Sequence, residues 1–498
     1  MLTRRKFVTA TALTSAAILT RSGISAHAAR YETPLPIPQL IDAKANANAV
    51  SLTIGQGVHA YRSDQSVQSF GYSAPLLGPV IRLARGQNVD ITIENKMSRP
   101  STVHWHGLII PGVVDGGPHN TIAAGQRWKA SLNVDQPETT AWFHPHPHGE
   151  TAQQVYSGLA GMLIVEDGSG ERLGLPRSYG IDDLPLVLQD RFFDRSGAPV
   201  YQPGPMDIMA GYRGDTIIVN GVIAPVVRVP AGLVRLRLLN GANARIFDLR
   251  FSDGRSFQII ASDGGYLAAP VTLRGLLIAP GERYEVVVDF SNGAEVVLET
   301  GADQNIPMMG MMRGSELIAG GGSVMKFQVD PTKRAAVTSV PKQLIDVPLL
   351  DRSRVVARRQ FLLNDMMMGG MMGGMMGGMG RGRGQRRFGP AMAINGQSFD
   401  MDRIDVETKR DTLELWEIGS QMMAHPFHVH GTQFQILSLN GQIPPLHLQG
   451  WKDTVLVARN AQILVPLSQL ATRDHPLMFH CHILEHEDAG MMGQYVCT

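Results

Sequence analysis

An all-β chain built from three β-sandwich domains is the fold this sequence predicts, and three observations predict it. A turn followed by an alternating strand recurs at residues 84–95, 230–240 and, more loosely, 409–418. Alternation with period two marks a half-buried strand. With 54 Gly and 30 Pro against 6% aromatic residues, short strands joined by turns are favoured over long helices. No regular helical segment lies between the strands, which suits antiparallel sandwiches better than parallel sheets.

The copies lie too far apart for a solenoid, and 498 residues exceed a single core. The expected domains are residues 30–170, 180–330 and 345–498. Asn220-Gly221 and Asn395-Gly396 add turn signals ahead of the second and third copies. A methionine-glycine insert at 366–379 interrupts the third domain, and an arginine-rich tail follows at 381–387. Gly-rich chain loses much entropy on ordering, so a mobile surface loop is expected there.

Residues 1–28 read as an export signal. Arg4-Arg5 precede Lys6-Phe7 and a mildly apolar run, and Ala26-His27-Ala28 supplies small residues for cleavage. The arginine pair points to the twin-arginine machinery and a periplasmic location. An ordinary secretory signal or an uncleaved anchor is the alternative. No later segment is long and apolar enough to span a bilayer, so no stable membrane insertion is expected. The net charge of +1 gives no reason to expect nucleic acid, and a monomer is expected.

Four clusters each contain His-x-His: His104/His106, His144/His146, His428/His430 and His480/His482. On a strand, residues i and i+2 face the same side, so each pair presents two imidazoles together. Imidazole suits copper, zinc, iron and nickel alike, so these pairs alone do not name the metal. Cys481 sits between His480 and His482 and points the other way if the segment is extended. With His425, His486 and Met491 it completes two imidazoles, a thiolate and a weak thioether, the blue-copper arrangement. An electron reaching Cys481 then has a short backbone path to His480 or His482. An isolated buried histidine is more often a hydrogen-bonded structural residue. His27, His59, His119, His148, His447 and His475 fall outside the pattern and are read that way. Cys497 has no assigned role.

His104-Trp105-His106-Gly107, Phe143-His144-Pro145-His146, His425-Pro426-Phe427-His428-Val429-His430 and His480-Cys481-His482-Ile483-Leu484-Glu485-His486 resemble the copper motifs of the multicopper oxidases. The resemblance covers nearly the whole mature chain. It implies three cupredoxin-like Greek-key β-sandwich domains and four copper ions. The type 1 copper would take His425, Cys481, His486 and Met491, and the type 2 copper His104 and His428. The type 3 pair would take His106, His144 and His482 on one side, and His146, His430 and His480 on the other. Asp115 and Glu487 would help deliver protons. Asp115 also reads as a turn residue, and Glu487 as a solvated charge.

Within the family, the chain is most similar to the periplasmic copper-efflux (cuprous) oxidases, which take Cu(I) and dioxygen as substrates. Thioethers are soft ligands that prefer Cu(I), so the methionine insert, Met422 and Met423 suggest copper handling. Met423, Asp365 and Met366 are the candidate substrate-copper residues. Gln421 stands where such oxidases usually carry an aspartate, and a neutral amide binds cations less strongly. The competing readings are a broad laccase-like oxidase of phenols, a copper-binding or storage protein without turnover, and a scaffold that has lost its metals.

Overall fold

The strand Gln87–Asn95 buries Gln87, Val89, Ile91, Ile93 and Asn95 and turns the residues between them outward, which realises the period-two pattern. The third copy forms the strand Thr412–Ser420. The second is split at Gly232, whose φ of 134° separates the strands Val226–Ala231 and Leu233–Asn240. This computed structural model describes residues 31–62, 65–303, 305, 320–365 and 392–498. The predicted export signal and the methionine insert lie outside the described residues.

Six sheets form among the described residues, two each from 40–166, 183–334 and 355–497. Each pair encloses an apolar core. Ile81, Ile91 and Leu163 fill the first, Leu186, Leu236 and Phe247 the second, and Phe361, Trp416 and Phe479 the third. Each such side chain contributes about 1.5–3 kcal/mol through burial. Both Asn-Gly turns form with positive φ at both residues, 49° and 84° at Asn220-Gly221 and 54° and 75° at Asn395-Gly396, as two-residue hairpin turns require.

The expectation of antiparallel sandwiches needs correction, because the sheets are mixed. Ala49–Arg62 runs parallel to Gln87–Asn95, and Val355–Asp365 runs parallel to Thr412–Ser420. Between Ala49–Arg62 and Gln87–Asn95 the chain visits the facing sheet through Val80–Ala84. Crossing a sandwich and returning restores the strand direction without any crossover helix. No helix among the described residues is long and apolar enough to cross a membrane.

Candidate metal centres

Strand register sorts the ligand candidates into two groups. Leu477–Cys481 pairs antiparallel with His425–Val429, with Phe427 opposite Cys481 and His428 opposite His480. Residues directly opposite share a face. One face therefore carries His428 and His480, and the other carries Cys481 with His425, two residues from Phe427. Cys481 and its two histidine neighbours thus serve opposite sides of one extended segment. The first-sheet pairs depart from the expectation of strand positions. His144 follows the strand Thr139–Phe143, and an isolated bridge ties it to His104. Only His104 makes that bridge; Trp105 lies outside regular structure and His106 opens a turn with Gly107.

On the Cys481 side, His425 Nδ1 lies 3.3 Å and His486 Nδ1 3.7 Å from the sulfur, and the two nitrogens are 3.2 Å apart. His486 donates from its other ring nitrogen, Nε2, to the Met209 carbonyl at 3.1 Å, which aims Nδ1 at the sulfur. The Ile483 amide donates to Sγ at 3.4 Å. Met491 is fully buried and tied in by two backbone bonds, Cys481 N–H to Met491 O and Met491 N–H to His486 O. Neither cysteine is in a disulfide. Burial lowers the His425 pKa to about 3 and pushes His486 well below its ordinary value.

On the other side, eight imidazoles converge, each no more than 1% exposed. Most spend one nitrogen on an anchor. Nδ1 of His104 donates to the Asp115 carbonyl at 3.1 Å, Nδ1 of His144 to the Pro145 carbonyl at 2.9 Å, and Nδ1 of His428 to the Asp453 carbonyl at 2.8 Å. Nδ1 of His430 donates to Asp115 Oδ2 at 2.8 Å, and Nδ1 of His480 to the Cys481 carbonyl at 3.0 Å. Nε2 of His480 lies 3.3 Å from that of His146 and 3.1 Å from that of His430. Nε2 of His104, His144 and His428, Nδ1 of His106 and both nitrogens of His482 are buried without a hydrogen-bond partner. Such orphans are costly unless something occupies them. Burial, reinforced by the neighbouring imidazoles, drives His106, His144, His146, His430, His480 and His482 well below their ordinary pKa. Neutral imidazole is the form that binds a metal. A thiolate and thioether beside clustered imidazoles fits copper better than hard cations.

Asp115 and Glu487 both lie beside the imidazole cluster, and neither is solvated. Glu487 is 1% exposed and lies 3.4 Å from His146 Nδ1 and 3.3 Å from His480 Nδ1. Burial pushes its carboxyl well above the usual range. Asp115 also lies 3.3 Å from His104 Nδ1.

Met423 is buried in the third core at 7% exposure, whereas Met422 is 59% exposed. Asp365 ends its strand, paired with Met392. Met366 lies outside the described residues. Among the histidines read as structural, His148 is exposed, His59 binds the Gly221 carbonyl and His119 the Gln494 amide oxygen. Sequence reasoning missed Asp453, which touches the imidazole cluster, and Arg283, which holds Asp453 from a different sheet pair. No spacing signal could have joined residues 170 positions apart. It also missed Met209, whose contact with His486 is made by its backbone.

Profiles of the multicopper oxidases match residues 55–170, 203–297 and 375–498. Cell division protein FtsP of Escherichia coli (strain K12) is 34% identical over 500 residues, covering 99% of this chain and 98% of that protein. A bacterial laccase-like multicopper oxidase, CueO, from Ochrobactrum sp. has oxidase activity towards lignin model compounds and lignosulfonate. It is 44% identical, with a TM-score of 0.83 over 93% of this chain and 100% of that one. A metallo-oxidase of Campylobacter jejuni is 25% identical, with a TM-score of 0.79 over 94% of this chain and 96% of that one. Full-length likeness of this kind, laid over a thiolate site joined back to back with a cage of buried imidazoles, places the chain in the multicopper oxidase family.

Proposed function

We propose that this chain oxidises Cu(I) to Cu(II) outside the cytoplasm and reduces dioxygen to water with the electrons. One observation carries the reading: Cys481 faces His425 and His486 while His480 and His482 face the imidazole cluster. Copper bound at the two sites would take up single electrons on the Cys481 side and supply four together to dioxygen on the other. His425, Cys481, His486 and Met491 would hold type 1 copper, and His104 and His428 type 2. His106, His144 and His482, with His146, His430 and His480, would hold the type 3 pair. The Cys481 carbonyl bonded to His480 Nδ1 adds a second short link between the sites. Burial favours the protonated form of Glu487, which lies beside His146 and His480 and can release a proton there; Asp115 orients His430 and His104.

Cu(I) as substrate is supported by the methionine insert at 366–379 and by Met422 and Met423 directly before His425. The paired arginines before Phe7 support twin-arginine export to the periplasm, and the sheet pairs at 40–166, 183–334 and 355–497 support three domains near 30–170, 180–330 and 345–498. A laccase-like oxidation of phenols is the second reading, favoured by the Ochrobactrum relative and by the neutral Gln421. The test is copper content per chain with dioxygen uptake, measured with Cu(I) and with a phenol. Cu(I) oxidation should consume one dioxygen per four electrons. Full copper without uptake on either substrate would overturn the oxidase reading and favour a role in cell division, which the FtsP relatives are named for.

A further inference from the structure

Asp453 stands between two of the histidine motifs and binds both. Its Oδ1 accepts from His106 Nε2 at 3.1 Å, and its backbone carbonyl accepts from His428 Nδ1 at 2.8 Å. The two rings are stacked, with centroids 3.6 Å apart. His106 therefore keeps its hydrogen on Nε2 and presents Nδ1, while His428 keeps its hydrogen on Nδ1 and presents Nε2. Those two presented nitrogens are buried without a partner.

Arg283 holds Asp453 in turn. Its Nη1 donates to Oδ1 at 2.7 Å and its Nη2 to Oδ2 at 2.6 Å. This two-pronged pair is fully buried. The guanidinium is itself fixed by donating to the carbonyls of Thr140, Gly281 and Asp263. Behind it, Asp263 accepts from the Arg283 amide and from Lys452 Nζ. Burial opposes charge on Asp453, but the guanidinium outweighs it and holds the carboxyl well below the usual range. Gly107 leaves room for the pair: at its φ of 92°, a Cβ would lie 2.4 Å from Arg283 Nη2 and 3.0 Å from Asp453 Oδ2.

We infer that Arg283 and the Asp453 carboxylate form a positioning pair that sets which nitrogen His106 turns toward copper and, by fixing residue 453, holds its backbone carbonyl against His428. The middle sheet pair thereby takes part in building a cluster whose ligands all come from its two neighbours. The inference rests on the copper reading above.

Asp453→Asn and Arg283→Lys test it in the copper-loaded full chain. Copper content, retention of cluster copper against a chelator and the type 2 paramagnetic resonance signal are the readouts. The blue absorption of the Cys481 centre reports on folding. Asp453→Asn should keep the blue band and hold cluster copper ~10–100-fold less tightly, as loss of a ligand-orienting carboxylate does elsewhere. Arg283→Lys keeps the charge but not the fork, and should shift the type 2 signal in the same direction by less. Wild-type cluster copper with an unchanged type 2 signal in both variants overturns the inference. If Asp453→Asn also loses the blue band, Arg283→Lys alone decides. An unsubstituted chain that holds no cluster copper overturns the copper reading and this inference with it.

Discussion

Copper-free protein carried from pH 7 to pH 5 should lose stability, while copper-loaded protein should not. In the unfolded chain His425 titrates at the ordinary value of 6.5; in the folded chain burial holds it to about 3. The unfolded state therefore binds a proton that the folded state refuses, so stability rises with pH. The penalty is absent above the unfolded value and grows as the pH falls toward the folded one. Over this interval His425 alone costs about 2 kcal/mol. His106, His144, His146, His430, His480, His482 and His486 push the same way. Asp488 opposes them. Burial raises its carboxyl to about 8, so the folded state binds the extra proton and gains about 3 kcal/mol over the same two pH units. Glu487 acts in the same sense as Asp488. Asp263, raised to about 6 by burial, and Glu485 also act in that sense. The histidines outnumber these carboxyls, so the net change is a loss of stability. Bound copper would exclude protons from the same nitrogens and remove the penalty. Urea unfolding of both forms at pH 7, 6 and 5 checks this. A copper-free midpoint that stays flat across the interval would refute the reasoning.

Two further outcomes are expected. Gly281→Ala places a Cβ 2.8 Å from His482 Cδ2 at a φ of 83°. It should cost about 1–3 kcal/mol in thermal unfolding and lower cluster copper content, with the blue centre spared. Removing residues 366–379 leaves the strand ends Asp365 and Met392 paired across the gap. Cu(I) oxidation should fall at least about tenfold, by loss of soft ligands, while steady-state oxidation of a bulky phenol stays level or rises.

The convergence of the candidate ligands was largely legible because strand geometry is local. Four His-x-His pairs and one cysteine between two histidines specify opposite faces without any knowledge of the sheet order. The Asn-Gly turns were legible for the same reason, since only certain residues take positive φ cheaply. Parallel pairing was not, because it follows from the order in which the chain visits two facing sheets. Arg283 and Asp453 were invisible for a related reason: each is an ordinary residue in its own stretch and acquires meaning only when two sheet pairs meet. The segment from His104 to His106, which leaves its bridge and enters a turn, shows the limit of the strand argument. Its imidazoles still converge, but through a bridge to His144 and anchors from Asp115 and Asp453 rather than through pleating.

The claim on which the rest depends is that one thiolate and its flanking imidazoles serve separate copper centres. Copper content, visible absorption and paramagnetic resonance of Cys481→Ser beside the unsubstituted chain test it most directly. The expected result is loss of the blue band together with one copper per chain, while the type 2 signal and the cluster copper stay. A blue band that survives the substitution, or an unsubstituted chain that carries only zinc, would contradict it.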